Sequence, residues 1–171
     1  MQNRGLVVFL VTLAFSVALP GSSVSYDAPE AERHWPRWRG PHMTGVAPHA
    51  TPPLEWSETK NVRWKVEVPG KGSATPVVWD DRIFLLTAVP TGERVEVPEP
   101  AEPLPDWRRG TLENAEEVQQ FTVLALRRSD GTTLWKRVLR EALPHEGTHT
   151  TGSWASASAV TDGEVLIASF G

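Results

Sequence analysis

The order of apolar and polar positions from residue 61 onward is typical of β-strands. Residues 61–68, NVRWKVEV, alternate between the two classes, which predicts a strand with one buried face. Further strands are predicted at 74–79, 82–88, 120–126, 132–139, 155–160 and 164–170, most of them ending at a tight turn that contains Asp or Gly. The pattern therefore predicts an all-β fold.

Several of these strands are apolar at consecutive positions, not only at alternate ones. Residues 83–86 and 165–168 are unbroken apolar runs, and Thr122 is the only polar residue between 121 and 126. Strands buried on both faces usually belong to parallel sheets covered by helices. The short turns here leave no room for a crossover helix. Thin antiparallel sheets stacked face to face, in a row or in a ring, satisfy both conditions.

Part of the pattern occurs twice. Residues 73–88 resemble 156–171: placing Asp80 on Asp162, which Gly163 follows, aligns 74–88 with 156–170. Each copy has a strand of small residues, a turn with Asp, and a strand that is apolar on both faces. Self-similarity at this scale predicts a repeat architecture.

An irregular arm, residues 26–60, precedes the strands. Its prolines prevent a regular helix or a central strand. Trp35, Trp38 and Trp56 predict that the arm is packed on a larger body, because rings of this size are usually buried. A cation–π or ligand-stacking role for Trp35, Arg37, Trp38 and Arg39 is the alternative.

A second irregular stretch, residues 89–119, interrupts a predicted hairpin. It contains five prolines, with eight acidic residues against three basic ones. This composition predicts a solvated insertion with one helical turn around 114–119. An acidic docking lobe is the alternative, since long loops often carry function.

The composition of the chain disfavours or excludes several classes of function. The net charge of −4 disfavours binding to nucleic acid or to anionic membranes. There is no cysteine, which excludes disulfides and thiolate chemistry. Residues 1–25 resemble a secretory signal peptide, with Arg4, an apolar run at 5–19 and small residues after it. We expect a secreted or periplasmic protein that has no membrane span after cleavage.

The stretch HEGTH matches H-E-x-x-H, the signature of zinc metallopeptidases, at His145, Glu146 and His149. A zincin needs the two histidines one helical turn apart. Pro144 and Gly147, together with the threonines that follow, disfavour a helix. We therefore predict a loop between strands, with these three side chains as polar lining and as weak candidates for a metal site.

Residues 35–171, apart from the acidic insertion, resemble the pyrroloquinoline-quinone (PQQ)-like β-propellers, secreted bacterial type. The resemblance rests on FTVLALRRSDGTTLW, with Gly131 four residues before Trp135, on WPRWRGP, on the Trp-Lys strand around Trp64, and on the repeat ending in the Asp162-Gly163 turn. It implies four-stranded blades around an axis: one complete blade at 74–139, half of a second at 155–170, and an outer strand of the last blade at 62–68. Trp64 and Trp135 would fill the gaps between blades.

This resemblance implies an incomplete ring, with about one and a half blades inside residues 61–171, so we expect the sequence to be the N-terminal part of a longer protein. The implied function is a binding or scaffold module that holds a protein or polymer ligand on its loop faces. The alternative is a quinoprotein oxidoreductase with PQQ and Ca²⁺, acting on an alcohol or sugar; no residue of this chain can be assigned to that cofactor. Zinc peptidase activity is the least favoured function.

Overall fold

The computed structural model describes residues 28–97 and 110–170. The predicted signal peptide, residues 1–25, and the centre of the predicted insertion, residues 98–109, lie outside the described residues. Within them, antiparallel β-sheets account for nearly all regular structure, and helix is limited to a single turn. The predicted all-β class is therefore confirmed. The described residues contain no helix that is both long and apolar enough to cross a membrane.

The regular elements follow one another in the order helix, then strands. They are α1 (Ala28–Ala31), β1 (Val77–Trp79), β2 (Arg82–Arg94), β3 (Leu112–Glu113), β4 (Glu117–Arg127), β5 (Thr133–Ala142), β6 (Thr148–His149), β7 (Val160–Thr161) and β8 (Leu166–Ile167).

The main sheet has four antiparallel strands in the order β1-β2-β4-β5. The register places Phe84 opposite Val77 in β1 and opposite Ala125 in β4. In the next pair, Ala125 lies opposite Trp135 of β5, and the register shifts just beyond this point. Residues directly opposite one another on neighbouring strands point to the same face, so these four side chains share one face of the sheet.

Both faces of the central strands β2 and β4 are buried over their apolar runs, as those continuous runs predict. On the first face, Phe84, Val123 and Ala125 form a core with Ala155 and Ala159 from the later part of the chain. On the opposite face, the central-strand residues Thr87, Thr122, Leu124 and Leu126 are also buried. Hydrophobic burial on two sides explains why the runs do not alternate.

The second half of the repeat packs on the first face but forms little regular structure. Its strands β7 and β8 pair through two residues each, Val160 with Ile167 and Thr161 with Leu166. The strands predicted at 155–160 and 164–170 are therefore much shorter in the structure, with two residues each. A ladder needs a partner along its whole length, and the described residues provide β8 with one neighbour only. No sheet among the described residues closes into a ring.

Residues 61–68 do not form the predicted strand. The alternation is present in the sequence, but no described segment pairs with them. The chain joins the sheet later, where Lys71 and Ala88 exchange two backbone hydrogen bonds of 2.9 and 3.0 Å. A periodic pattern specifies faces, whereas a strand also requires a neighbouring backbone.

The hairpin around the predicted insertion is longer than expected. β2 extends to Arg94 and β4 begins at Glu117, so paired strands occupy both ends of the interval 89–119. The helical turn expected at 114–119 was wrong: β3 ends at Glu113, and 117–119 belong to β4. Residues 117–119 pair with β2 instead, and this pairing gives their backbone hydrogen-bond partners on a neighbouring strand.

The arm is attached to the body at several points. Trp35 and Val78 exchange backbone hydrogen bonds of 2.9 and 2.8 Å, and Thr161 donates its N–H to the carbonyl of Pro36. Trp35 is half-buried, as expected, but Trp38 and Trp56 are 58% and 78% exposed. The prediction of burial therefore fails for the last two rings, and the guanidinium of Arg39 lies over Trp38 at 5.4 Å.

Candidate functional site

The long loops gather at one end of the main sheet. The tight turns at Asp81 and at 128–132 lie at the opposite end, where Arg128 N–H donates to the carbonyl of Asp81. At the loop end, β3 from the predicted insertion pairs with β6 from the HEGTH stretch, Leu112 opposite His149 and Glu113 opposite Thr148. Two loops that are far apart in sequence therefore form one surface.

The HEGTH stretch is a loop with a short strand, and the prediction that it is not a helix is confirmed. Gly147 fits here because a Cβ at this position would lie 2.7 Å from the carbonyl oxygen of Glu113. Nδ1 of His149 lies 2.8 Å from the hydroxyl of Thr151. His145 lines a separate cavity next to Phe170, and the carbonyl of Glu146 accepts the indole N–H of Trp154.

These side chains do not converge on a common point. His145, Glu146 and His149 are all exposed, and His149 is fixed by its pairing with Leu112. In the described part of the chain, no group of three His, Cys, Asp or Glu side chains is arranged to hold a metal ion. The helix that a zincin requires is not formed at this site.

The loop end contains a cavity of about 520 Å³, called here the loop groove. Its charged lining consists of three carboxylates and two cations: Glu113, Glu116, Glu117, Lys71 and Arg94. The Arg94 guanidinium lies 2.6 Å from Oε2 of Glu116. The Lys71 ammonium donates to Oε2 of Glu113 at 3.3 Å and to the carbonyl of Thr150 at 3.1 Å.

Among the carboxylates of this groove, Glu116 is the one whose pKa is shifted by its surroundings. The side-chain amide of Asn114 donates to Oε1 of Glu116 at 3.0 Å. This hydrogen bond, followed by the charge of Arg94, lowers the pKa of the Glu116 carboxyl below its ordinary value. Glu116 is therefore ionised at neutral pH and forms a surface ion pair with Arg94.

Three further groups line the groove. Gln119 is 4% exposed, and its side-chain N–H donates to the carbonyl of Glu117 at 3.2 Å. Oε1 of Glu117 accepts the backbone N–H of Gly92 at 2.7 Å. Trp154 contributes its half-buried indole, whose N–H is already bound to Glu146. The groove thus combines ion pairs, uncommitted acceptors and an aromatic ring.

Trp64 lies against the turn between β4 and β5. Its indole N–H donates to the carbonyl of Arg128 at 2.9 Å, although 64 positions separate the two residues. Gly131 has a φ of +75°, and a Cβ added there would lie 2.6 Å from Cε3 of the Trp64 ring. Asp130 caps the same turn by accepting the N–H of Thr132 at 2.8 Å, and this hydrogen bond lowers the pKa of the Asp130 carboxyl. The glycine therefore provides both the backbone angle and the space for the ring.

Trp135 occupies a different environment. Its ring is 6.0 Å from that of Phe84 in the same sheet, and the guanidinium of Arg137 lies 5.4 Å from its centre. The ring lines a groove of about 540 Å³ between β5 and β8. Val165 and Ile167 on its rim are 56% and 63% exposed.

The Asp162-Gly163 turn connects the second half of the repeat to the first. Asp162 accepts backbone N–H groups from Val165 at 2.8 Å and from Glu164 at 3.0 Å, and the hydrogen bond from Val165 is the main cause of its lowered pKa. Gly163 has a φ of +96°, and a Cβ there would overlap the indole of Trp79. The turn therefore packs directly on β1.

The sequence patterns did not identify the loop groove. Lys71 and Glu113 are 42 positions apart, and Lys71 and Thr150 are 79 apart, so no local spacing connects them. One signal was present: Gln119 immediately precedes the predicted apolar strand 120–126 and is buried. A polar residue that continues a buried strand is a candidate for a specific interaction.

Comparisons with protein-family models, with curated proteins and with solved structures find no significant match to this chain.

Proposed function

We propose that the chain forms blades of a secreted or periplasmic PQQ-like β-propeller and acts as a binding module for a protein or polymer ligand. The observation that carries the proposal is the contact of Trp64 with Gly131 and the Arg128 carbonyl. In a propeller, the ring of one blade fills the gap beside a turn of the next. A flat aromatic ring on a glycine turn sets the distance between two sheets through close packing.

The internal repeat supports the same architecture. Placing Asp80 on Asp162 puts Val165 and Ile167 at the positions of Ile83 and Leu85. In the main sheet, those positions pair with Leu126 and Leu124 of β4. Val165 and Ile167 are more than half exposed, so the repeat suggests that β8 takes an apolar partner strand of the β4 type and completes a second blade.

The loop end supports binding as the function. At one end of the sheet the described strands are joined by tight turns, whereas the other end has the paired β3 and β6 loops and the loop groove. Ligand sites are concentrated in long loops held on a rigid scaffold, and they favour clefts with several polar groups that point inward. We therefore assign the binding surface to the loop end.

Site-specific photo-crosslinking in the envelope of the native host tests this function. A photoreactive residue replaces Glu93, exposed at the loop end, or Asp81, exposed at the turn end, as the matched control. We expect a discrete adduct from position 93 and none from position 81. Adducts from both ends alike, or from neither, contradict a binding surface at the loop end.

A second assay separates a binding module from a quinoprotein oxidoreductase. The purified chain is incubated with PQQ and Ca²⁺, an alcohol or a sugar, and an artificial electron acceptor. We expect no reduction of the acceptor above that seen with PQQ and Ca²⁺ alone. Reduction that requires the protein refutes the non-catalytic assignment and favours the enzyme.

A further inference from the structure

The loop groove is lined by a side-chain amide oxygen, Oε1 of Gln119, that accepts no hydrogen bond from a described residue. Gln119 is 4% exposed, and its amide nitrogen is bound to the carbonyl of Glu117. Among the described residues, none donates to Oε1 of Gln119. This oxygen is therefore available to a ligand that brings an N–H or O–H group.

Glu117 adds a second uncommitted acceptor, and this one carries charge. Its Oε1 holds the N–H of Gly92, while Oε2 accepts no hydrogen bond within the described ranges. Glu117 is half-buried, so its attraction for a cation is screened less than that of a fully exposed carboxylate.

The charge balance of the groove leaves this carboxylate without a counterion. Three carboxylates face two cations, giving a net charge of −1. Arg94 is engaged with Glu116, and Lys71 is engaged with Glu113. The excess negative charge therefore lies on Glu117, and the groove disfavours anions.

Trp154 provides the third element of recognition. Its N–H is bound to the carbonyl of Glu146, so the ring offers a ligand no further donor. The π-face of tryptophan attracts ammonium and guanidinium groups more strongly than any other aromatic side chain does. An acceptor amide, an unpaired carboxylate and an indole together form a site for an organic cation.

We propose that the loop groove binds a primary ammonium or guanidinium group. The inference rests on the proposed binding function and specifies its partner: the group is the side chain of a lysine or arginine in a protein ligand. The N–H groups of the cation satisfy Oε1 of Gln119 and Oε2 of Glu117, and its charge balances the groove. A free amine has the same chemistry, and the experiment separates the two sources.

The test is an NMR titration of the full chain with n-butylammonium and methylguanidinium, with n-butanol as the neutral analogue at equal ionic strength. We expect saturable shifts of the Trp154 indole and Gln119 amide signals with both cations and not with n-butanol. Glu117→Gln keeps the acceptor for Gly92 and removes the charge, which weakens binding by about tenfold or more.

The matched control is Glu164→Gln, which removes one exposed carboxylate outside the loop groove. We expect it to bind both cations as the unmodified chain does. Trp154→Phe retains a ring with a weaker π-face and should give an intermediate affinity. Unchanged amide spectra of the free variants show that each one is folded.

A blocked tripeptide with a central lysine distinguishes the two sources. Binding at least as tight as that of n-butylammonium supports a protein side chain, while binding of the free amine alone supports a small-molecule amine. Equal affinity of Glu117→Gln and Glu164→Gln, equal shifts with n-butanol, or no shift with either cation overturns the site. These outcomes are independent of the crosslinking result, so the site and the proposed function can fail separately.

Discussion

Replacing Gly131 by alanine tests whether the contact between Trp64 and the β4–β5 turn stabilises the fold. The φ of +75° at Gly131 costs an alanine about 1–2 kcal/mol. The added Cβ would lie 2.6 Å from the ring of Trp64. Displacing the ring also breaks its hydrogen bond to Arg128, worth about 0.5–1.5 kcal/mol. We expect the free energy of unfolding to fall by about 1.5–3.5 kcal/mol, the sum of the two effects.

Gly92→Ala separates the backbone cost from the contact. Gly92 has a φ of +86°, but nothing lies within 4 Å of a Cβ built there. This variant should therefore lose only the backbone cost, about 1–2 kcal/mol. The stability of both variants is measured by urea unfolding followed by circular dichroism. An unchanged slope of the unfolding free energy against urea concentration shows that the same transition is being compared.

A double-mutant cycle completes the test. In a chain with Trp64→Ala, the clash with the ring and the hydrogen bond are both absent, so Gly131→Ala should cost less than it does in the unmodified chain. Any cost above that of Gly92→Ala then comes from Cγ1 of Val66, which would lie 2.9 Å from the added Cβ. The coupling free energy between positions 64 and 131 then equals the cost of the displaced ring. Equal losses for Gly131→Ala and Gly92→Ala in the unmodified chain would refute the reasoning, because the ring contact would then contribute nothing.

Three further substitutions test other parts of the fold, each by urea unfolding. Thr87→Val leaves the carbonyl of Pro69 without its 2.6 Å hydrogen bond from a fully buried hydroxyl, and should cost about 1–2 kcal/mol. Ala155→Leu overpacks the core between the two halves of the repeat, where Ala155 is fully buried, and should cost about 1–3 kcal/mol. Asp162→Asn should lower stability near neutral pH, because the N–H of Val165 lowers the pKa of this carboxyl; the difference should vanish as the pH falls through the folded-state pKa, below about 3.9.

Each of these substitutions has a control at an exposed position. Thr133→Val, Ala50→Leu and Glu67→Gln make the same chemical changes at the surface, where effects are usually within about 0.5 kcal/mol. A Thr87 or Ala155 variant as stable as its control would contradict the burial argument. For Asp162, a stability difference from the unmodified chain that persists at every pH would contradict the role of its charge.

The sequence predicted the centre of the main sheet well. The apolar run at 120–126 lies within β4, the turn ending at Gly131 is present, and Trp135 lies in β5. These features are local: a strand buried on both faces requires consecutive apolar residues, and a tight turn requires a residue that accepts a positive φ. Residues near one another in sequence carried enough information for both.

The predictions failed where an element depends on a distant partner. Residues 61–68 alternate as a strand should, yet they pair with nothing among the described residues. A helical turn was predicted at 114–119, but residues 117–119 of this segment pair with β2 as part of a strand. Local preference is weak evidence when a neighbouring backbone provides hydrogen bonds.

The sequence by itself determined the all-β class, the apolar character of both faces of the main sheet, and the failure of HEGTH to form a zincin helix. Only the tertiary structure decided that β3 pairs with β6, that Trp64 reaches the turn at Gly131, and that Lys71, Glu117, Gln119 and Trp154 line one groove. The physical reason is the range of the interactions. The two-residue period of a strand orients each side chain locally, whereas contacts between residues 42 to 79 positions apart exist only after the sheets have packed.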